Sequence, residues 1–210
     1  MSTATIRAVW EHSEIIGVDL SGEMLDKAKK VMPEITFIQR DCGESLSDMG
    51  SFDLIFSNAF LQWIPNQEEF IRNSFGMLNQ GGCFAAQIPL FSEMPVERCI
   101  IEAEDTFSQK FNDIERCRCY SAADYYDMMS KYTDNSIMWV TDYYHELNDY
   151  EGILEFLKGA ALRPYLEKLE EEEQAVFLAV VLKNIKKTYS QQENGKVLFP
   201  FKRLFLVGIK

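Results

Sequence analysis

Three polar residues stand where short apolar runs end: Asp19 after IIGV, Asp41 just beyond ITFIQ, and Asn58 after FDLIFS. If the runs are parallel strands, their carboxyl ends meet at one edge of a sheet, where such sheets bind ligands. A carboxylate there can accept hydrogen bonds from both hydroxyls of a ribose, and a second acid can accept from an exocyclic amine. An amide can both donate and accept, so the three residue types match a nucleoside.

Each of these residues also has a simpler interpretation. Asp19 could stabilise the N-terminus of the helix that follows it, through the helix macrodipole. Asp41 is a common turn residue by type, and Asn58 fits a loop. Their shared position after consecutive apolar runs favours the binding interpretation over three separate ones.

The elements that must position these residues are short apolar runs alternating with amphipathic helices. Ser21 can cap a helix that runs to Pro33, and its apolar stripe is expected to pack on a sheet. The stripe consists of Met24, Leu25, Ala28 and Val31. A second helix is predicted over 67–78 and a strand over 83–88. This alternation predicts an α/β fold with parallel strands and helices on both faces.

The second half of the chain has a different pattern. Helices are predicted over 93–107, 122–132 and 170–189, and strands over 137–147, 197–201 and 204–209, the last two following the Asn194-Gly195 turn. We expect a single domain over 1–210. Its sheet core comprises 1–89, 121–147 and 194–210, and a helical cap or lid comprises about 90–120 and 150–190.

Composition excludes several classes of protein. The chain has 210 residues, with 21 Lys and Arg against 33 Asp and Glu, a net charge of −12 that argues against nucleic-acid binding. Its longest apolar run, 175–182, is far shorter than the ~20 residues that span a bilayer, so no membrane partner is expected.

The numbers and spacing of the cysteines and histidines indicate the cellular compartment of the protein and whether it binds a metal. The five cysteines are scattered and odd in number, which is typical of a reducing compartment and predicts a cytoplasmic protein. Cys117 and Cys119 form a C-x-C pair, but the histidines are only His12 and His145, and no second pair completes a tetrahedral site. We therefore expect no metal.

The sequence resembles the class I S-adenosylmethionine-dependent methyltransferases. The segments that carry the resemblance are IIGVDLSGEML at 15–25, Asp41, FDLIFSNAFLQWIP at 52–65 and LNQGG at 78–82. Segments at 143–147, 161–169 and 194–208 are similar to the branch that methylates small polycarboxylates such as trans-aconitate. The resemblance implies a Rossmann-like, mostly parallel sheet with an antiparallel edge strand, and S-adenosylmethionine as the cofactor.

The resemblance also implies which residues bind. The expected cofactor-binding residues are Asp19, Leu20, Met24, Asp41, Cys42, Asn58, Ala59 and Trp63. The expected residues for a small anionic substrate are Tyr144, His145, Arg163 and Arg203. Arg163 is the first choice because a guanidinium binds a carboxylate bidentately, although it could instead pair with a nearby Glu. Since neighbouring strand residues alternate faces, only one of Tyr143 and Tyr144 is expected to point into a shared pocket. His145 and Trp63 could be structural residues.

The start of the sequence departs from the family pattern. The family's first strand and its Gly-rich loop are not found before residue 15, and 1–3 looks like the start of the helix that normally follows them. We expect that helix to make apolar contacts through Ile6, Ala8, Val9 and Trp10. A missing first strand would leave its neighbours in the sheet with unpaired edges.

The expected reaction is methyl transfer to a carboxylate oxygen, which is already ionised at neutral pH and so needs no general base. We therefore name no catalytic residue. A malonyl-carrier O-methyltransferase is the nearest alternative, since it shares the strand end at 57–63. A dehydrogenase is less favoured because no G-x-G-x-x-G is present. The alternative of another class is a truncated, non-catalytic protein with the same fold.

Overall fold

The computed structural model describes residues 2–114 and 116–210. Its helices are α1 (Ser2–Val9), α2 (Gly22–Val31), α3 (Gln67–Met77), α4 (Pro95–Glu104), α5 (Ala122–Ser130), α6 (Tyr150–Lys158), α7 (Arg163–Leu166) and α8 (Glu171–Thr188). Its strands are β1 (Ile16–Asp19), β2 (Thr36–Gln39), β3 (Phe52–Asn58), β4 (Leu78–Pro89), β5 (Asn135–Leu147) and β6 (Val197–Ile209). Short 3-10 helices cover Ser47–Met49, Leu61–Trp63, Phe91–Glu93 and Asp105–Lys110.

The strands form two sheets. In the first, β1 and β2 pair in parallel, with Asp19 opposite Gln39. The second has the order β3-β4-β6-β5. In it β4 and β6 are antiparallel, because the amide of Gly81 donates to the carbonyl of Lys210 while that of Leu90 donates to Lys202. The prediction of an α/β fold with parallel and antiparallel strands flanked by helices is confirmed.

The strands β1 and β3 each lie at the edge of a sheet, where unpaired backbone groups were expected. Within the described part of the chain, β2 is the sole strand partner of β1, and β4 is the sole strand partner of β3. Each of these two strands therefore keeps one unpaired row of backbone hydrogen-bonding groups.

Two predicted boundaries were wrong. The strands predicted at 197–201 and 204–209 are one continuous strand, β6, because Lys202 and Arg203 alternate faces and the ladder passes through them. The helix predicted over 93–107 is interrupted. It ends at Glu104 and continues as a 3-10 helix in which Phe107 has non-helical backbone angles.

By its internal contacts the chain divides into two compact units. The first comprises 1–86, 128–136 and 207–210, and the second comprises 87–127 and 137–206. In the first unit the buried side chains include Ile71 and Phe75 of α3, Phe84 of β4 and Met129 of α5. In the second, residues of α4, α6, α8 and β6 form one hydrophobic core.

The first unit corrects an expectation about α1 and α2. Of the predicted apolar stripe of α2 only Leu25 is buried, and Val31 is 77% exposed. The helix contacts β1 and β2, and two strands of four residues are too small to cover the whole stripe. In α1 no residue is buried, and Val9 and the adjacent Trp10 are exposed.

The second unit contains the longest helix, α8, whose charges follow the helix macrodipole. Glu170 and Glu173 form a capping box at its start, and Lys186 and Lys187 lie in its last turn. The following turn places Gly195 at φ +80°, a conformation that glycine adopts without strain. None of the helices in residues 2–114 and 116–210 combines the length and the apolar composition that a membrane span requires.

Candidate functional site

Asp19 ends β1 and is tied to the start of α2. Its Oδ1 accepts a hydrogen bond from the amide of Ser21 at 2.8 Å, and the Ser21 hydroxyl caps the helix by accepting from the amide of Met24. The carboxylate therefore serves the helix entry that the sequence left open as an alternative. A carboxylate has about four acceptor positions, so this bond leaves capacity for ligand hydroxyls.

Asp41 lies close to Asp19 through the pairing of β1 with β2. The Oδ1 of Asp41 accepts from the amide of Gly43 at 2.7 Å. Between them Cys42 is buried, and burial together with the charges of Asp41 and Asp19 raises the pKa of its thiol to about 11. The structure thus brings the two predicted acids together around one uncharged thiol.

Asp19 and Asp41 form what we call the acidic corner. Leu20 and Met24 give this acidic corner an apolar border. Both side chains are mostly exposed, Leu20 at 61% and Met24 at 55%. Large apolar side chains that remain exposed beside polar groups often line ligand sites. An exposed apolar surface next to carboxylates can contact a flat ring on one side and accept hydrogen bonds from hydroxyl groups on the other.

Asn58 ends β3 and lies against α1. Its Nδ2 donates to the hydroxyl of Ser2 at 3.2 Å. The next residue, Ala59, has φ +51°, which is unusual for a residue with a Cβ. Gln62 holds this turn by donating to the carbonyl of Ala59 at 2.8 Å, and the adjacent Trp63 is partly exposed. Strained backbone of this kind is found preferentially at functional sites.

Arg203 is the centre of a second cluster, located in the other unit. Its Nη1 donates to Oε1 of Gln87 at 2.6 Å. The guanidinium also lies over the ring of Phe201 at 4.8 Å and that of Tyr143 at 5.7 Å. Burial lowers the pKa of Arg203 from its ordinary value. Across the described residues it makes no ion pair, so its charge is balanced by an amide and two aromatic rings.

Gln87 was missed by the sequence analysis. Its side chain is only 6% exposed, and no group among the described residues accepts a hydrogen bond from its Nε2. A buried amide donor without a partner is costly, so its presence calls for an explanation. The sequence does contain a signal for a functional role of Gln87, because it is the one polar residue in the apolar run CFAAQIP.

His145 lies near this cluster, against aromatic rings. The rings of Phe156 and Phe201 lie 5.2 and 6.0 Å from its imidazole. Its Nε2 is buried, and in the described part of the chain nothing hydrogen-bonds to it. Gln87 and His145 therefore each have an unused polar atom in the same unit as Arg203.

Tyr144 and Arg163 are not brought into this cluster. Tyr144 is 66% exposed and alternates with Tyr143, so it lies on the opposite face of β5. The exposed Arg163 pairs with Glu167, its Nε lying 2.8 Å from Oε1. This is the alternative that the sequence left open for Arg163.

The predicted cofactor residues belong to the first unit, and Tyr144, His145, Arg163 and Arg203 belong to the second. Among residues 2–114 and 116–210 no three His, Cys, Asp or Glu side chains are grouped to hold a metal ion. The structure thus contains an acidic, partly apolar corner suited to a nucleoside and a half-buried cation suited to a carboxylate.

Comparison with known proteins places these features in context. A family described as a methyltransferase domain matches residues 2–86. The trans-aconitate 2-methyltransferase of Azoarcus sp. (strain BH72) is 32% identical over 210 residues, covering all of this chain and 83% of the relative. The enzyme of the same name from Escherichia coli O157:H7 is 32% identical over 207 residues, covering 99% of this chain and 81% of the relative.

Solved structures share the fold. The YcgJ protein of Bacillus subtilis has a TM-score of 0.56 at 17% identity, covering 94% of this chain and 82% of its own. Phosphoethanolamine N-methyltransferase 2 of Haemonchus contortus, in complex with S-adenosyl-L-methionine, has a TM-score of 0.55 at 15% identity. That match covers 98% of this chain and 45% of the worm enzyme's chain.

Proposed function

The chain belongs to the S-adenosylmethionine-dependent methyltransferases, and on that premise we propose that it methylates a carboxylate oxygen of a small polycarboxylate such as trans-aconitate. The observation that carries the proposal is Arg203. In a chain of net charge −12, its guanidinium is half-buried, bound to an amide instead of an acid, and free of ion pairs within the described residues. The names of the relatives support the same acceptor class.

We assign the cofactor to the acidic corner of the first unit. The carboxylates of Asp19 and Asp41 would accept from the ribose hydroxyls and the adenine amine, with Leu20, Met24 and Cys42 beside the base. Asn58, Ala59 and Trp63 would border the same ligand. This donor and acceptor set fits S-adenosylmethionine, which when bound supplies a methyl group on a positively charged sulfur.

We assign the acceptor to the cluster around Arg203. Its guanidinium would bind one carboxylate bidentately, and the unpartnered Nε2 of Gln87 would donate a further hydrogen bond. His145 has a buried polar atom that would then also gain a partner. Binding a carboxylate here would thus satisfy polar groups that are left without partners in the described structure.

This chain has little acid–base chemistry to supply. A carboxylic acid with a pKa of about 4 is ionised at neutral pH, so its oxygen is a nucleophile without a base. Holding nucleophile and methyl group in line can contribute up to roughly 7–11 kcal/mol. We therefore propose positioning as the main source of rate. We also propose a cytoplasmic location, supported by the five free cysteines.

The test compares two arginines in the same unit. Charge-assisted hydrogen bonds contribute about 1.5–3 kcal/mol, so Arg203→Met should raise the KM for trans-aconitate roughly 10- to 100-fold. Arg203→Met should leave the Kd for S-adenosylmethionine unchanged, as measured by calorimetric titration. Methionine keeps an apolar side chain between Phe201 and Tyr143, which limits the loss of packing.

Arg163→Met is the matched control, because that side chain is exposed and already paired with Glu167. We expect it to change the KM by less than about twofold, as is usual for an exposed ion pair. If Arg163→Met raised the KM and Arg203→Met did not, the acceptor assignment would move to Arg163. If neither variant affected the KM for trans-aconitate, neither arginine would bind the acceptor and its assignment to the cluster around Arg203 would be wrong.

A further inference from the structure

Cys117 and Cys119 form a pair of adjacent thiols that the methyltransferase reaction does not use. Their Sγ atoms lie 3.4 Å apart, and both side chains are partly buried. They belong to the irregular segment 116–121, which precedes α5. The Sγ of Cys119 also donates to the carbonyl of Pro89 at 2.9 Å.

The segment that carries the two thiols is fixed at both ends. Arg116 forms an ion pair with Glu104, which also accepts a hydrogen bond from the hydroxyl of Tyr165 at 2.6 Å. At the other end, the amide and hydroxyl of Ser121 donate to Asp124 in the first turn of α5. These anchors keep the two sulfur atoms side by side in the folded protein.

The environments of the five cysteines differ in a way that matters for reactivity. The hydrogen bond from Cys117 lowers the pKa of Cys119 and raises that of Cys117. The pKa values of Cys42, Cys83 and Cys99 are all raised, in each case mainly by burial. The carbonyl of Pro89 holds the Cys119 thiol in its protonated form, but once that proton leaves, the hydrogen bond from Cys117 stabilises the thiolate. Because the thiolate is the nucleophile, Cys119 is the thiol of the pair that reacts first.

We propose that Cys117 and Cys119 are a redox site, which closes reversibly into a disulfide on reaction with a small disulfide such as oxidised glutathione. The Cys119 thiolate attacks one sulfur of glutathione disulfide, and the broken S–S bond releases one glutathione thiolate. Cys117 then loses its proton to water and attacks the Cys119 sulfur, which releases the second glutathione. Two protein thiols are oxidised and one glutathione disulfide is reduced to two thiols.

Chain geometry explains why this disulfide would be reversible. Residues two apart lie at most about 7 Å apart at their Cα atoms, so a disulfide can bridge them, but it closes a ring of only three residues that restricts the disulfide geometry. A short, strained ring is more easily reduced than a structural disulfide, so it responds to the glutathione ratio.

The experiment uses the full chain in a series of buffers with increasing ratios of oxidised to reduced glutathione. Samples are quenched with acid, the remaining thiols are alkylated, and the protein is digested with trypsin. Cleavage after Arg116 and Arg118 separates Cys117 from Cys119, so the two peptides stay together only if a disulfide joins them. The intact protein should lose two hydrogen masses, and added dithiothreitol should reverse both changes.

Serine variants test each step. Cys117→Ser should retain glutathione on Cys119, because the resolving thiol is absent. Cys119→Ser should react with glutathione disulfide more slowly than the parent chain, since burial still raises the pKa of the remaining Cys117 thiol. Cys83→Ser is the matched control, and it should form the 117–119 disulfide as the parent chain does. Thermal unfolding of each variant verifies that it is folded.

Three results would overturn the proposal. The first is stable glutathione on Cys117 or Cys119 of the parent chain without the linked peptide. The second is no reaction at either cysteine in the most oxidising buffer, while the same chain reacts in urea. The third is linkage of either residue to Cys42, Cys83 or Cys99.

Discussion

The acidic corner around Asp19 and the cluster around Arg203 carry opposite charges, and the protein positions those charges in different ways. Asp19 ends one short strand of a two-stranded sheet and Asp41 follows the other, and their partly exposed carboxylates accept hydrogen bonds from main-chain amides. Arg203 lies in a strand of 13 residues, half-buried between aromatic rings and bound to a buried amide. The acids are positioned by local turns, whereas Arg203 is positioned by packing between strands that are far apart in the sequence. Substitutions should therefore have local effects in the first region and wider effects in the second.

The largest effect is expected in the packing that supports the second region. Phe199 is fully buried and its ring lies within 6 Å of those of Tyr189, Phe156 and Phe201. Phe199→Ala should lower the free energy of unfolding by about 3–5 kcal/mol. Val31→Ala on the exposed side of α2 should change it by less than about 0.5 kcal/mol. Urea unfolding measures both, and equal losses would show that the two regions do not differ in packing.

The next effect isolates charge in the acidic corner. Asp19→Asn keeps an oxygen that can accept from the amide of Ser21, so the start of α2 should persist. Loss of the charge should raise the Kd for S-adenosylmethionine roughly 10- to 100-fold, given about 1.5–3 kcal/mol for a charged hydrogen bond. Asp26→Asn on the exposed face of the same helix is the control. An unchanged Kd for Asp19→Asn would restrict Asp19 to helix capping.

A smaller effect is expected from the amide that orients Arg203. Gln87→Leu removes both the acceptor for Nη1 and the unpartnered Nε2. Arg203 keeps its own charge for the acceptor, so only part of the roughly 1.5–3 kcal/mol of a charge-assisted hydrogen bond is lost, and the KM for trans-aconitate should rise about 2- to 10-fold. The unpartnered donor disappears while Nη1 of Arg203 loses its acceptor, so these two changes offset each other and the melting temperature should change little. A large fall in the melting temperature with no change in KM would mean that Gln87 serves only the fold.

The smallest effect separates two neighbouring tyrosines. Tyr143 stacks on Arg203, whereas Tyr144 points to the opposite face of β5. A cation–π contact contributes about 0.5–1 kcal/mol at a partly exposed site, so Tyr143→Leu should raise the KM about 2- to 5-fold. Tyr144→Leu should leave it unchanged. The reverse order would place the acceptor on the other face of the strand.

The acidic corner could be read from the sequence because its geometry is local. A strand end followed by a capped helix fixes Asp19 within a few residues, and Asp41 follows the next strand in the same way. Ala59 gave no such signal, because alanine carries no preference for the positive φ that it adopts here.

The pairing of Gln87 with Arg203 could not be read in that way, since the two residues are 116 positions apart. The pairing depends on the register of β4 against β6, which side-chain patterns fix only when the partner strand is known. Arg163 ranked above Arg203 in the sequence for the same reason, because exposure and pairing with Glu167 become visible only in three dimensions.

The half-buried position of Arg203 also bears on the rate at which an anionic acceptor arrives. A molecule of net charge −12 repels a polycarboxylate at distances where the single guanidinium is not felt. At physiological salt the Debye length is about 8 Å, so long-range repulsion is screened while a contact inside the cluster is not. Association should therefore become faster as salt is added, the reverse of electrostatic steering, and dissociation should hardly change.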